Sequence, residues 1–122
     1  MSLPGLSFGG PDAVDAALHS ALDGIALRQR VIADNIANGD TPGFRATTVD
    51  FEASLRAAIA SGDPSAVAIS TTPTDTPVGP NGNNVDLRKE TLAAVQSQFQ
   101  YQVMTRAVND RAELLRAATG SQ

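Results

Sequence analysis

The sequence predicts a mainly α-helical protein: two long terminal helices in a coiled-coil-like helical hairpin, with a short helix and an irregular loop between them. Three observations support this fold class. Apolar residues recur at steps of three and four towards both ends, the spacing of helices that pack lengthwise on one another. The middle is rich in Pro, Gly, Thr and Asn. Only 4 % of the 122 residues are aromatic, which favours long helical contacts over a large core.

The first long helix is predicted over residues 12–38, after a flexible N-terminal segment at residues 1–11. Proline is tolerated in a first helical turn, and Asp12 meets the positive end of the helix dipole. Gly24 is a weak point within this helix. The apolar seam along the helix consists of Leu18, Leu22, Ile25, Ile32 and Ile36.

Residues 39–84 are predicted to contain a turn, a short helix and a flexible middle region. The short amphipathic helix covers residues 50–61, and residues 67–69 are expected to form a brief strand. Residues 70–84 bury too little apolar area to offset the loss of chain entropy, because they are mostly Thr, Pro, Gly and Asn. We therefore expect a loop that is mobile in the free protein.

The second long helix is predicted over residues 85–118, and the two terminal helices together form one helical domain. Asn84 or Asp86 is expected to cap its first turn. Its main apolar stripe consists of Leu92, Val95, Phe99, Val103, Ala107 and Leu114.

A hairpin of two helices buries only one strip of each helix. Tyr101, Met104 and Val108 lie away from the main stripe and have no evident partner in the same chain. Exposed apolar strips of this kind usually mark a docking surface, so helices of other subunits are the expected partners. The predicted assembly interface is the seam of the first helix together with Leu92, Val95, Phe99, Tyr101, Val103 and Leu114.

The densest motif lies between Asn35 and Phe44. Asn38 and Gly39 are residue types that close a helix in the left-handed conformation. Pro42-Gly43 supplies the two central residues of a type II turn. Residue by residue, the simpler interpretation is a helix stop followed by a tight turn. The motif residues are Asn35, Asn38, Thr41, Pro42, Gly43 and Phe44.

As a complete string, this motif resembles the N-terminal signature of the flagellar rod, hook and hook-associated axial proteins. In that family an Asn-Ile-Ala-Asn stretch leads to Thr-Pro-Gly and an aromatic residue. Residues 84–87 with Glu90 resemble the start of the family's C-terminal helix, and residues 99–102 resemble its middle. The short length and small middle region are most like the flagellar basal-body rod proteins of the proximal rod.

The resemblance implies a structural subunit of the bacterial flagellar proximal rod that polymerises through its terminal helices as part of a drive shaft. It implies a periplasm-spanning location in the basal body and type III export without a cleaved signal peptide. The implied partners are other copies, other rod proteins, the rod-base adaptor and the membrane ring. The alternative is a soluble helical adaptor that binds a partner helix in a finite complex.

The amide side chains allow two interpretations. Those on the second helix, at Gln96 and Gln100 for example, are either solvated or bonded across subunit contacts with Asn35 and Asn38. Buried polar pairs of the second kind fix the register between helices.

Composition argues against other classes of function. The net charge of −4 lacks the basic footprint of a nucleic-acid binder. No window is apolar enough for direct membrane insertion. With no cysteine and a lone His19, the chain offers no catalytic group, metal site or cofactor site, and no small-molecule substrate is expected.

Overall fold

The computed structural model describes residues 11–63 and 66–120. It confirms the predicted fold class, and each predicted helix lies within two residues of the observed one. The predicted flexible segment at residues 1–11 lies outside the described residues, except for Pro11. In chain order the elements are α1 (Pro11–Ala37), β1 (Thr47–Asp50), α2 (Glu52–Ser61), β2 (Ser70–Pro73) and α3 (Leu87–Gly120).

The two long helices run antiparallel and pack against each other. Near one end, Arg111 Nε donates to Asp15 Oδ1 at 3.0 Å. Further along, Arg28 Nη1 donates to Gln100 Oε1 at 3.4 Å. Moving forward along α1 therefore means moving backward along α3, as in a helical hairpin.

The middle of the chain packs on this hairpin and completes its core. Ala21 and Ile25 of α1 are buried with Val49 and Phe51, and Met104 of α3 packs against them. A Cβ atom added at Gly24 would lie 2.5 Å from Cδ1 of Phe51. The glycine that weakens α1 therefore makes room for an aromatic ring to lie directly on the helix.

A two-stranded antiparallel sheet joins the ends of the middle segment. Thr47 pairs with Pro73 and Asp50 with Ser70. The strand predicted at residues 67–69 is wrong by position, because pairing begins at Ser70. The Thr-rich run that follows suits a strand better than its composition suggested, because β-branched residues favour extended backbone.

The cap of α3 follows the prediction. Asp86 Oδ1 accepts a hydrogen bond from the Lys89 N–H at 3.2 Å, which is the side-chain capping pattern. The neighbouring Asn84 is buried and bonded elsewhere. Loop mobility in the free protein stays a prediction, although the end of the loop is held by specific contacts.

Candidate assembly interface

The largest apolar side chains of α3 are exposed and not buried against α1. Phe99 and Leu114 are each 67 % exposed, and Leu92 and Val95 are similarly open. At about 100° per residue, these positions share one face of the helix with Val103. The face that packs on α1 lies roughly a third of a turn away and carries Ala93, Ser97 and Met104.

This arrangement corrects one part of the sequence interpretation. Met104, predicted to lack a partner in the chain, packs against the core, and Val108 is half-buried. Tyr101 remains exposed, at the border of the packed face. The main stripe is the unpartnered surface, because small residues on the other face allow α3 to approach α1 closely. We call the exposed set the outer stripe: Leu92, Val95, Phe99, Val103 and Leu114.

The outer stripe continues into an apolar groove between α1, α2 and α3. Phe99, Val103 and Met104 of α3 line this groove together with Phe51 and Leu55. The groove has a volume of about 290 Å³. Apolar surface on α3 is thus continuous with apolar surface on the middle segment.

The seam of α1 is divided between core and surface. Ile25 and Ile32 are buried within the chain, so they support the fold and are not accessible for assembly. Leu18 and Leu22 are half-buried, and Ile36 is exposed. The predicted interface on α1 is therefore narrower than its apolar periodicity suggests.

The motif turn has the predicted geometry. Gly43 has φ = 75°, and the Phe44 N–H donates to Thr41 O at 3.2 Å, which closes the turn around Pro42-Gly43. The predicted left-handed closure at Asn38 and Gly39 is wrong, because neither residue has positive φ. There α1 ends in a tightened last turn, in which the Gly39 N–H donates to Ile36 O at 3.1 Å.

A second turn, just before α3, packs against the motif turn and forms hydrogen bonds with it. Asn83 Nδ2 donates to Asn38 O at 2.8 Å and to Thr41 O at 2.7 Å. The Gly43 N–H donates to Asn81 O at 2.9 Å. A Cβ atom at Gly82 would lie 3.2 Å from Gly43 Cα, so the two glycine turns stack directly. The end of α1 and the start of α3 are therefore fixed relative to each other.

Asn35 joins α1 to the free edge of β1. Antiparallel pairs alternate between residues that exchange hydrogen bonds and residues whose N–H and C=O point outward. Ala46 O accepts from the Thr74 N–H, which makes Thr47 one of the outward-facing residues. Asn35 Nδ2 donates to Thr47 O at 2.8 Å, and Asn35 Oδ1 accepts from the Thr47 N–H at 3.3 Å.

Arg28 covers the next outward-facing position of the same edge. Its Nη2 donates to Val49 O at 2.6 Å. The guanidinium also forms a two-pronged pair with Glu52, both contacts at 2.7 Å, and lies 4.9 Å from the centre of the Phe51 ring. The hydrogen bond from Arg28 holds the pKa of the Glu52 carboxyl below its ordinary value. One side chain thus fastens β1 and α2 to α1.

Sequence reasoning missed these polar contacts. Arg28 carries no local signal, because its partners are 21 and 24 residues away in the chain. Asn83 lies in a segment whose composition indicated only turns. The amides of Asn35 and Asn38 bond within the chain, and this counts against their predicted use across subunit contacts.

Residues 11–63 and 66–120 contain no group of three or more His, Cys, Asp or Glu side chains placed to hold a metal ion. Within the same ranges, no helix combines the length and hydropathy needed to cross a membrane. The main surface feature that still needs an explanation is the apolar outer stripe of α3.

Comparison with known proteins shows which family this chain is similar to. A family model described as "Flagella basal body rod protein" matches residues 17–45, which include the second half of α1 and the motif turn. The flagellar basal body rod protein FlgB of Borreliella burgdorferi is 33 % identical over 109 residues, covering 71 % of this chain and 81 % of the relative. This chain belongs to the flagellar basal body rod protein family.

Two further rod proteins are similar to this chain over most of its length. FlgB of Bacillus subtilis is 35 % identical, with 77 % of this chain and 83 % of the relative covered. FlgB of Escherichia coli is 31 % identical, with 80 % and 88 % covered. The chain is therefore a structural rod subunit of the flagellar basal body and not an enzyme. Its membership implies assembly with other copies and other rod proteins.

Proposed function

We propose that this rod subunit polymerises through the outer stripe of α3 and the exposed part of α1, as part of the proximal rod. The observation that carries the proposal is the exposure of Phe99 and its neighbours on a helix that already packs against α1 with another face. Burying apolar surface yields roughly 25 cal/mol per Å². Neighbouring subunits that cover this stripe would gain free energy that the single chain cannot reach.

The hydrogen-bonded turns where α1 ends and α3 begins support a rigid connection between these two helices. Asn83 and Gly43 hold the end of α1 against the start of α3. A subunit of a drive shaft must transmit torque between its terminal helices and its middle segment. We infer that the motif turn serves this purpose, by fixing the angle at which the middle segment leaves α1.

The proposal extends to location and neighbours. We place the subunit in the part of the rod that crosses the periplasm, next to a rod-base adaptor and the membrane ring, after type III export without a cleaved signal peptide. Head-to-tail contacts between identical subunits generate helical arrays of the kind a rod requires. Cross-linking in intact basal bodies, followed by identification of the joined proteins, tests these neighbours directly.

Phe99→Asp tests the role of the outer stripe. Phe99 is exposed, so the variant should keep the helical content of the single chain while it loses assembly, measured by sedimentation at rising concentration and by motility of a complemented strain. Gln98→Asp is the matched control, because it adds the same charge at an adjacent exposed position. Normal rods with Phe99→Asp would contradict the proposal.

The same sedimentation experiment separates the two classes of function. A polymer subunit forms a series of larger species as concentration rises. A soluble adaptor stops at a definite finite complex, and this outcome would favour the alternative.

A further inference from the structure

The two-stranded sheet has an outer edge along β2. Among the residues that the structure describes, the sheet contains only β1 and β2, so no third strand pairs with this edge. All four residues of β2, Ser70–Pro73, are exposed. A free strand edge presents backbone N–H and C=O groups that can pair with a strand of another molecule.

The register of the sheet identifies the residues that form this edge. Thr47 and Val49 of β1 direct their backbone groups away from β2, as described above. In an antiparallel ladder, the residue directly opposite such a position also faces outward. The residues opposite Thr47 and Val49 are Pro73 and Thr71. The outer edge of β2 therefore carries the backbone groups of Thr71 and Pro73.

The sequence that leads into Pro73 favours strand pairing. Residues 67–72 contain no charge and no proline, and their β-branched members are Val67, Ile69, Thr71 and Thr72. Uncharged segments of about six residues with high strand propensity are the type that pairs between molecules. An open edge at this segment would therefore compete with association through helices.

Pro73 lacks the group that such pairing requires. A proline has no backbone N–H, and its ring occupies the space into which that hydrogen would project. If two copies paired antiparallel with Thr71 at the centre, residue 73 of each copy would have to donate one hydrogen bond to the other. Neither copy can do so, and both rings would push the strands apart. Prolines within sheets are found at edge positions for the same reason.

We propose that Pro73 closes the outer edge of β2 to strand addition, so that copies associate through their helices and not through this sheet. The opposite edge, on β1, is already covered by Asn35 and Arg28 of the same chain. Side chains thus close one edge and a missing donor closes the other. The inference goes beyond the proposed function, because it holds whichever helical surface carries assembly.

The test compares Pro73→Thr with Pro77→Thr in full-length chains that also carry Phe99→Asp, which is expected to suppress association through the outer stripe. Pro77 is exposed and lies outside both strands, so it is a matched control for the loss of a proline. Sedimentation velocity measures association, and thioflavin T fluorescence with infrared spectroscopy measures intermolecular β-structure. We expect Pro73→Thr to associate at a concentration roughly thirtyfold below that of Pro77→Thr, the effect of two restored hydrogen bonds.

A third variant separates an opened edge from a general loss of stability. Replacing a proline frees the unfolded chain, so both variants should lower the thermal unfolding midpoint by similar small amounts. Adding Thr71→Pro to Pro73→Thr removes a donor from the same edge and leaves the ladder to β1 intact, because Thr71 faces outward. This double variant should associate no more readily than Pro77→Thr.

Three results would overturn the inference: equal association of Pro73→Thr and Pro77→Thr, association of Pro73→Thr without a gain in β-structure, or association that persists after Thr71→Pro is added. The proposed function is tested separately by Phe99→Asp alone. If Phe99→Asp still assembles, the proposed function fails, and the difference in β-structure between the two proline variants still decides the role of Pro73.

Discussion

Replacing Asn35 by alanine should destabilise the single chain by about 2 kcal/mol. Asn35 is 1 % exposed, and its amide satisfies both the N–H and the C=O of Thr47. Neither group can turn to β2, because Thr47 faces away from Pro73 in the register of the sheet. Leaving a buried polar group unsatisfied costs about 1–3 kcal/mol, and two groups are affected. Two groups would together cost about 2–6 kcal/mol. Thr47 is half-buried, so water recovers part of this cost and the expected loss lies at the lower end, about 2 kcal/mol.

A loss of this size is measurable, because small domains are stable by only about 5–15 kcal/mol. Urea unfolding followed by far-UV circular dichroism, at a concentration below assembly, gives the change in free energy of unfolding. Asn109→Ala provides the control: it changes the same residue type at an exposed position of α3 and should alter the free energy by less than about 0.5 kcal/mol. If Asn35→Ala is as stable as Asn109→Ala, the amide does not hold β1 to α1, and the argument for a covered strand edge fails.

Three other substitutions probe the packing of the hairpin. Gly24→Ala gains about 1 kcal/mol of helix propensity, but its methyl group meets the Phe51 ring. We expect the free energy of unfolding in urea to fall by about 1–3 kcal/mol in total. A net rise would contradict the close contact. Ser97→Ala should raise the unfolding free energy by up to about 1 kcal/mol, because the buried Oγ of Ser97 has no hydrogen-bond partner among the described residues. Glu52 has a lowered pKa in the folded state, so its pairing with Arg28 adds stability at neutral pH that is lost as the pH falls below its ordinary pKa of 4.5. The Glu52 side chain is 47 % exposed, so this contribution should stay below about 1 kcal/mol. In Glu52→Gln, the unfolding midpoint should therefore depend less on pH in the acidic range than it does in the unchanged protein.

Local chemistry was sufficient to predict the elements that do not depend on distant partners. The three- and four-residue spacing of apolar positions predicted both long helices to within two residues. Pro42-Gly43 predicted the turn, because only glycine accepts positive φ cheaply at that position. Asp86 was one of two predicted caps and is the one observed.

The face by which α3 packs could not be predicted in the same way. Periodicity identifies an apolar stripe but does not distinguish a stripe buried within the chain from one left for other chains. The choice depends on how closely the helices approach, and Ala93 and Ser97 permit a closer approach than Leu92 or Phe99. It also depends on the middle segment, since Phe51 fills the space beside Gly24 and leaves Met104 as its neighbour.

Polar and apolar contacts have different roles in this packing. Within the chain, directional bonds from Arg28, Asn35 and Asn83 fix the arrangement of the elements, while the buried apolar core is small. Directional bonds specify a geometry well but add modest net free energy, whereas apolar burial supplies most of the driving force for association. A chain that sets its shape with polar contacts and keeps Phe99 and Leu114 outside is suited to gain stability from its neighbours. For a rod subunit, this means that the single molecule has a defined shape but reaches its full stability only in the rod.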